Sequence, residues 1–166
     1  MKKIIVIGCP GSGKTTFSKK LNKIIDIPLY HLDMMYWNED KEPVEPYLFM
    51  VKLLCTMELD KWILDGNYGS SLKLRLQKCD TVFYLDYPVD LCIKGLNERM
   101  GQKRSDIPWV ENGYDQDFLE YVKTFDVTQK PIIEEMLKQY KDKEIIIFEN
   151  REEAEEYLKN LEMKIA

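Results

Sequence analysis

Arginine and histidine are scarce in this chain: among its 166 residues, Arg75, Arg99, Arg104 and Arg151 are the only arginines and His31 is the only histidine. One histidine and four scattered cysteines (Cys9, Cys55, Cys79 and Cys92) with no CxxC pair argue against a zinc knuckle or a redox dithiol. Buried thiols in a reducing compartment are expected instead. Long apolar runs are missing too. Ile4–Ile7, after Met1-Lys2-Lys3, is too short for a signal peptide and stops at a glycine loop. No other stretch approaches the length of a membrane span, so the expected location is the cytoplasm. Nor is there a basic excess, because the formal net charge is −5. Such a chain has no general attraction for polyanions, which argues against direct nucleic-acid binding. Any anionic ligand must be held by a local cluster of positive groups.

What is present is enough apolar material, 45% of residues, for one core, and a single domain over residues 1–166 is expected. Short apolar runs recur at Ile4–Ile7, Ile27–Leu32, Trp62–Leu64, Thr81–Leu85 and Ile145–Phe148. They lack the alternation of half-exposed strands, so they read as parallel strands covered on both faces. Between them lie helical patterns at Lys14–Leu21, Tyr47–Leu59, Val89–Met100, Asp115–Phe125 and Pro131–Tyr140. Asn150 with Glu153 three residues on resembles a capping box, opening a last helix over Arg151–Leu161. The class is α/β, doubly wound. Residues 101–113, polar and bounded by glycines, form the expected mobile lid, and residues 38–46 are a second loop.

The chemistry begins with Gly8-Cys9-Pro10-Gly11-Ser12-Gly13-Lys14-Thr15, a GxxxxGK[ST] pattern placed directly after a strand and directly before a helix. Its glycines let backbone N–H groups converge on a triphosphate together with the helix N-terminus, and Thr16 continues the cradle. Lys14 is expected to reach the terminal phosphates and Thr15 to offer its hydroxyl to Mg²⁺. A metal ion in such a site needs an acidic partner, and both Asp65 and Asp86 end apolar strands.

Scarcity makes the arginines informative, since arginine grips phosphate bidentately where lysine offers a point charge. Arg99 and Arg104 flank the start of the lid, where closure would bring charge to a transferring phosphoryl group. The bland alternative is a basic helix C-terminus. Arg75 either holds an acceptor anion or is a solvated helix residue. His31 and Asp33, two apart at a strand end, point to one side. Asp33 suits a general base or an outer-sphere metal contact, and His31 suits either an acceptor contact or a structural hydrogen bond. Tyr36 and Trp37 either stack on an acceptor ring or pack in the core.

In order, the P-loop, His31-Leu32-Asp33 with Tyr36-Trp37, Trp62-Ile63-Leu64-Asp65-Gly66-Asn67-Tyr68 and Leu85-Asp86-Tyr87-Pro88 resemble the adenylate-kinase-related topology modulation proteins. The resemblance implies a five-stranded parallel sheet of order 2-3-1-4-5 with helices on both faces, a short lid after the fourth strand, and ATP as donor. It favours Asp65 over Asp86 as the metal partner. The kinase reading would put the acceptor near Asp33, Asn67, Tyr68 and Arg75. The chain departs from the adenylate kinases in having Asn67-Tyr68 where they carry proline-arginine, and only Lys123 and Lys130 in the region after the lid. The leading expectation is a phosphotransferase acting on a small molecule. A nucleotide-dependent switch is the alternative; a GTPase form is disfavoured because no NKxD segment follows the fourth strand.

Overall fold

Ile4, Ile5, Val6 and Ile7 have no exposed surface, because the strand that carries them, β1 (Lys3–Gly8), lies at the middle of the sheet. The computed structural model describes residues 1–165. The other strands are β2 (Leu29–His31), β3 (Trp62–Asp65), β4 (Thr81–Leu85) and β5 (Glu144–Phe148). They run β2-β3-β1-β4-β5 in space, all parallel, which is the order the resemblance implied. β3 and β4 are buried throughout, whereas β5, at the edge, leaves Glu144 and Ile147 exposed.

Helices cover both faces: α1 (Lys14–Ile25), α2 (Leu32–Tyr36), α3 (Pro46–Met57), α4 (Gly69–Lys78), α5 (Val89–Arg99), α6 (Gln116–Lys123), α7 (Phe125–Thr128), α8 (Lys130–Lys138) and α9 (Arg151–Ile165). No helix among the described residues is long and apolar enough to cross a membrane. Three elements differ from expectation. The second strand is shorter, because Leu32 leaves the sheet and opens a helical turn that buries Leu32 and Met35 three residues apart. The short α7 was not anticipated. α4 was anticipated only through the alternative of Arg75 on a helix; it starts on the weak helix formers Gly69-Ser70-Ser71 and interrupts its apolar face with a charged residue, Arg75. Cys9, Cys79 and Cys92 are buried as expected, but Cys55 is exposed.

The cap of α9 is nearly a reciprocal box. Asn150 Oδ1 accepts from the Glu153 N–H at 2.9 Å, while the Glu153 carboxylate takes the Glu149 N–H at 2.8 Å, one residue outside the usual partner. More consequential is the contact between the glycine loop after β1 and α5. A Cβ on Gly11 would lie 2.0 Å from the Cys92 carbonyl oxygen, and one on Gly95 would lie 2.1 Å from the Gly11 oxygen. Backbone therefore packs on backbone there. Arg99, four residues beyond Gly95, shares that face of α5.

Candidate active site

The strands end together on one side of the sheet, and their register fixes which side chains meet. Val6 of β1 and His31 of β2 both pair with Asp65 of β3. The loop after β1, the start of α2, the β3–α4 connection and the lid enclose a cavity of about 920 Å³. Of the expected site residues, Pro10 to Thr16, His31, Asp33, Trp37, Asp65, Asn67, Tyr68, Arg99 and Arg104 line it. Gly8, Cys9, Tyr36 and Arg75 do not.

The P-loop end of the cavity is a helix N-terminus. Gly13, at φ 95°, caps α1 without a side-chain bond, and the first turn carries no acidic residue, so its orphan N–H groups and positive helix end face the cavity. Only glycine adopts that φ freely. Lys14 Nζ donates to the carbonyls of Gly8 (2.9 Å) and Cys9 (3.1 Å), and burial pulls its pKa below the usual lysine value. Asn67 clamps the loop: its Oδ1 accepts from the Gly8 N–H at 3.0 Å and its Nδ2 donates to the Gly8 oxygen at 2.6 Å. This corrects the expectation for Asn67, whose amide is engaged by the P-loop backbone rather than held out toward an acceptor.

Thr15 Oγ1 lies 3.0 Å from Asp65 Oδ2 and 2.9 Å from Asp106 Oδ2. A hydroxyl has one proton and satisfies one of these carboxylates, not both. Two carboxylates converging on a hydroxyl oxygen form a hard-oxygen donor set that suits Mg²⁺. Asp65 Oδ2 is also held by His31 Nδ1 at 2.9 Å, which gives the histidine a structural partner. Asp86 is elsewhere, paired with Lys130 at 2.6 Å beside a separate recess.

The lid is seated on the site. Asp106 comes from it and is buried; desolvation opposes its ionisation, but the Arg104 fork and the Thr15 hydroxyl outweigh that and hold the carboxyl below the ordinary range. Trp109 meets Trp37 edge to face at 5.8 Å. Arg99 Nε donates to the Tyr114 hydroxyl at 3.2 Å.

Across the cavity, Tyr68 donates to Asp33 Oδ1, and Asp33 Oδ2 has no protein donor among the described residues. Burial, reinforced by Asp65 and Asp106, raises the Asp33 pKa even though the Tyr68 bond and Lys14 work the other way. Tyr68 has a left-handed backbone, φ 39°, unusual for a bulky residue. Arg75 supplies the restraint. Fully buried, it donates to the carbonyls of Gly66 (2.9 Å), Asn67 and Tyr68 (3.2 Å) and to Ser71 Oγ (3.1 Å). It is neither an anion holder nor a solvated residue, as its donors are engaged inside the protein. Tyr36 packs among Trp37, Phe49 and Tyr68, the core alternative.

No family model matches the chain, and no curated protein does. Solved structures do. A shikimate kinase from Bacteroides thetaiotaomicron is similar at 16% identity over 97% of this chain and 96% of that one, with a TM-score of 0.59. A shikimate kinase from Acinetobacter baumannii in complex with shikimate shows 16% identity, coverage of 99% and 93%, and a TM-score of 0.63. A sugar kinase from Janibacter sp. HTCC2649 shows 15% identity, coverage of 100% and 96%, and a TM-score of 0.55. This chain has the P-loop kinase fold. At such identities the likeness establishes architecture, and the reaction has to be argued from residues. Asp106 is the site residue that sequence reasoning missed; its one signal was an acid two residues from Arg104 in a lid that begins with basic residues.

Proposed function

We propose that this chain is an ATP- and Mg²⁺-dependent phosphotransferase, related to the topology modulation proteins, that moves the γ phosphoryl group onto a hydroxyl of a small acceptor. The observation that carries the reading is the placement of a P-loop and a half-buried carboxylate of raised pKa, Asp33, on one cavity beneath one lid. An ATP-binding switch has no use for that carboxylate. The shikimate and sugar kinases that share the fold support the same class of reaction by analogy.

Each group has a distinct task. The first turn of α1 and Lys14 bind the β and γ phosphates, while Arg99 and Arg104 come with the lid toward the charge that builds on the transferring group. Thr15, Asp65 and Asp106 would hold Mg²⁺, which supplies charge neutralisation on the phosphate oxygens when bound. His31 orients Asp65, and Asn67 holds the P-loop in shape. Asp33 Oδ2 takes the acceptor's hydroxyl proton as its oxygen attacks phosphorus, a task for which a raised pKa is suited. Trp37 and Tyr68 form the acceptor's wall.

The test is ADP release from ATP and Mg²⁺ across nucleosides, nucleotides, sugars and other small metabolites, with the product identified by mass. Lys14→Ala and Arg99→Ala are expected to abolish turnover in folded protein. A rate that stays at background hydrolysis with every acceptor favours the switch instead, and activity retained in either variant removes the assignment of that residue.

A further inference from the structure

The acceptor half of the cavity differs in charge from the donor half. The segments from β2 into α2 and from β3 into α4 contribute His31, Asp33, Trp37, Asp65, Asn67 and Tyr68 to the wall, together with glycines, and neither a lysine nor an arginine. The one basic side chain among them, His31, is bound to Asp65. Arg75, the only arginine on these elements, turns inward to three carbonyls and Ser71. Lys41, from the neighbouring loop, stands 5.6 Å over the Trp109 ring and is not part of the cavity wall.

The arginines of the lid do not make up the deficit. Arg104 is paired with Asp106, Arg99 is braced on Tyr114 beside Lys14 at the phosphate end, and Lys103, the other lid cation on the cavity, is exposed to solvent. Against an anionic acceptor stands the Asp33 carboxylate, whose Oδ2 has no protein donor among the described residues, while Asp65 and Asp106 are engaged by Thr15, His31 and Arg104. The N-terminus of α4, at Gly69, offers only the partial charge of a helix end, smaller than the full charge on Asp33. What the acceptor end does present is aromatic surface, Trp37 and Tyr68, around a carboxylate oxygen that lacks a protein donor.

Resting on the phosphotransferase reading above, we infer that the acceptor is an uncharged, ring-bearing hydroxyl compound, a nucleoside or a free sugar rather than its phosphate or carboxylate. Its ring lies against Trp37 and Tyr68, and its hydroxyl donates to Asp33 Oδ2. The hydroxyl oxygen forms the new bond to the γ phosphorus, the bond from that phosphorus to the β–γ bridging oxygen breaks, ADP leaves, and the hydroxyl proton passes to Asp33. No other reactant is needed. The same arrangement opposes a second phosphate or a carboxylate on the acceptor, whose charge would face Asp33 with no lysine or arginine from the acceptor-side segments.

The experiment measures kcat/KM for matched pairs with ATP and Mg²⁺: nucleosides against their 5′-monophosphates, and sugars or cyclitols against their phosphates and acids, shikimate included. The uncharged member of the productive pair is expected to exceed its anion at least tenfold, with a product heavier by one phosphoryl group. Which arm responds separates nucleoside from sugar. Anions that equal or surpass their uncharged parents overturn the inference while leaving the kinase reading intact. Background ADP release with every compound overturns both. In Asp33→Asn, binding followed by tryptophan fluorescence is expected to narrow the preference for the uncharged member at least threefold. An unchanged ratio shows that Asp33 does not exclude the anion and also overturns the inference.

Discussion

Replacing Arg75 with methionine tests whether a buried cation, rather than packing, holds the acceptor wall. The guanidinium is fully buried; desolvation lowers its pKa to about 10, so it stays charged at neutral pH. It donates to the carbonyls of Gly66, Asn67 and Tyr68 and to Ser71 Oγ. Methionine keeps much of the volume and removes every donor. A buried carbonyl left without a partner costs about 1–3 kcal/mol. Gly66 is buried, whereas Asn67 and Tyr68 are half-exposed and regain water, so the three together come to about 4 kcal/mol. Relief from burying a cation offsets part of this. The net expectation is a loss of about 3 kcal/mol, which for a chain of this size lowers the melting temperature by roughly 6–12 °C. Arg75→Lys should lose nearly as much, since a single ammonium does not reproduce the planar fork. Urea unfolding followed by far-UV circular dichroism measures both. A loss under about 1 kcal/mol in Arg75→Met refutes the reasoning, because the three carbonyls would then be satisfied without the arginine.

Asp33→Asn is expected to cut turnover roughly a hundredfold or more by removing the general base. Burial raises the Asp33 pKa above its ordinary 3.8, so the folded state holds a proton that the unfolded state has released; stability falls as pH rises through that window. The asparagine variant lacks this penalty and should unfold at higher urea than the parent at pH 7, with the difference vanishing below pH 3.8. In the parent, the acid limb of kcat against pH should lie above 3.8. Asp106→Asn should raise the Mg²⁺ concentration for half-maximal response roughly tenfold. It should also shrink the Trp109 fluorescence change on adding ATP with Mg²⁺, because the lid loses an anchor on Thr15. An unaltered Mg²⁺ response assigns Asp106 to lid structure alone.

Local pattern carried the architecture and the donor half of the site. The both-face apolar runs require a parallel sheet covered by helices, and the P-loop requires no long-range information, because a strand, a glycine loop and a helix N-terminus are consecutive in the chain. Pattern also placed Asp65 at a strand end, but β1 and β4 border each other as closely as β1 and β3. What favours Asp65 over Asp86 as the proposed metal partner is the observed contact of Thr15 with Asp65 and the pairing of Asp86 with Lys130.

The acceptor half depended on the tertiary structure. Arg75 reads on paper as a phosphate-binding arginine or a surface one. It turns inward onto the carbonyls of Gly66, Asn67 and Tyr68, the segment leading into its own helix, where the left-handed backbone of Tyr68 folds that segment back over α4's first turns in a way no helical spacing reveals. Asn67 and His31 likewise look like ligand contacts until their partners, Gly8 and Asp65, arrive from other strands. Asp106 meets Thr15 across 91 residues of chain, a separation over which no spacing rule operates. The sequence by itself therefore determined the strand, glycine loop and helix N-terminus on which the proposed triphosphate site rests. Which charges remain for an acceptor was decided by tertiary hydrogen bonding, because that bonding determines which cations are already in use.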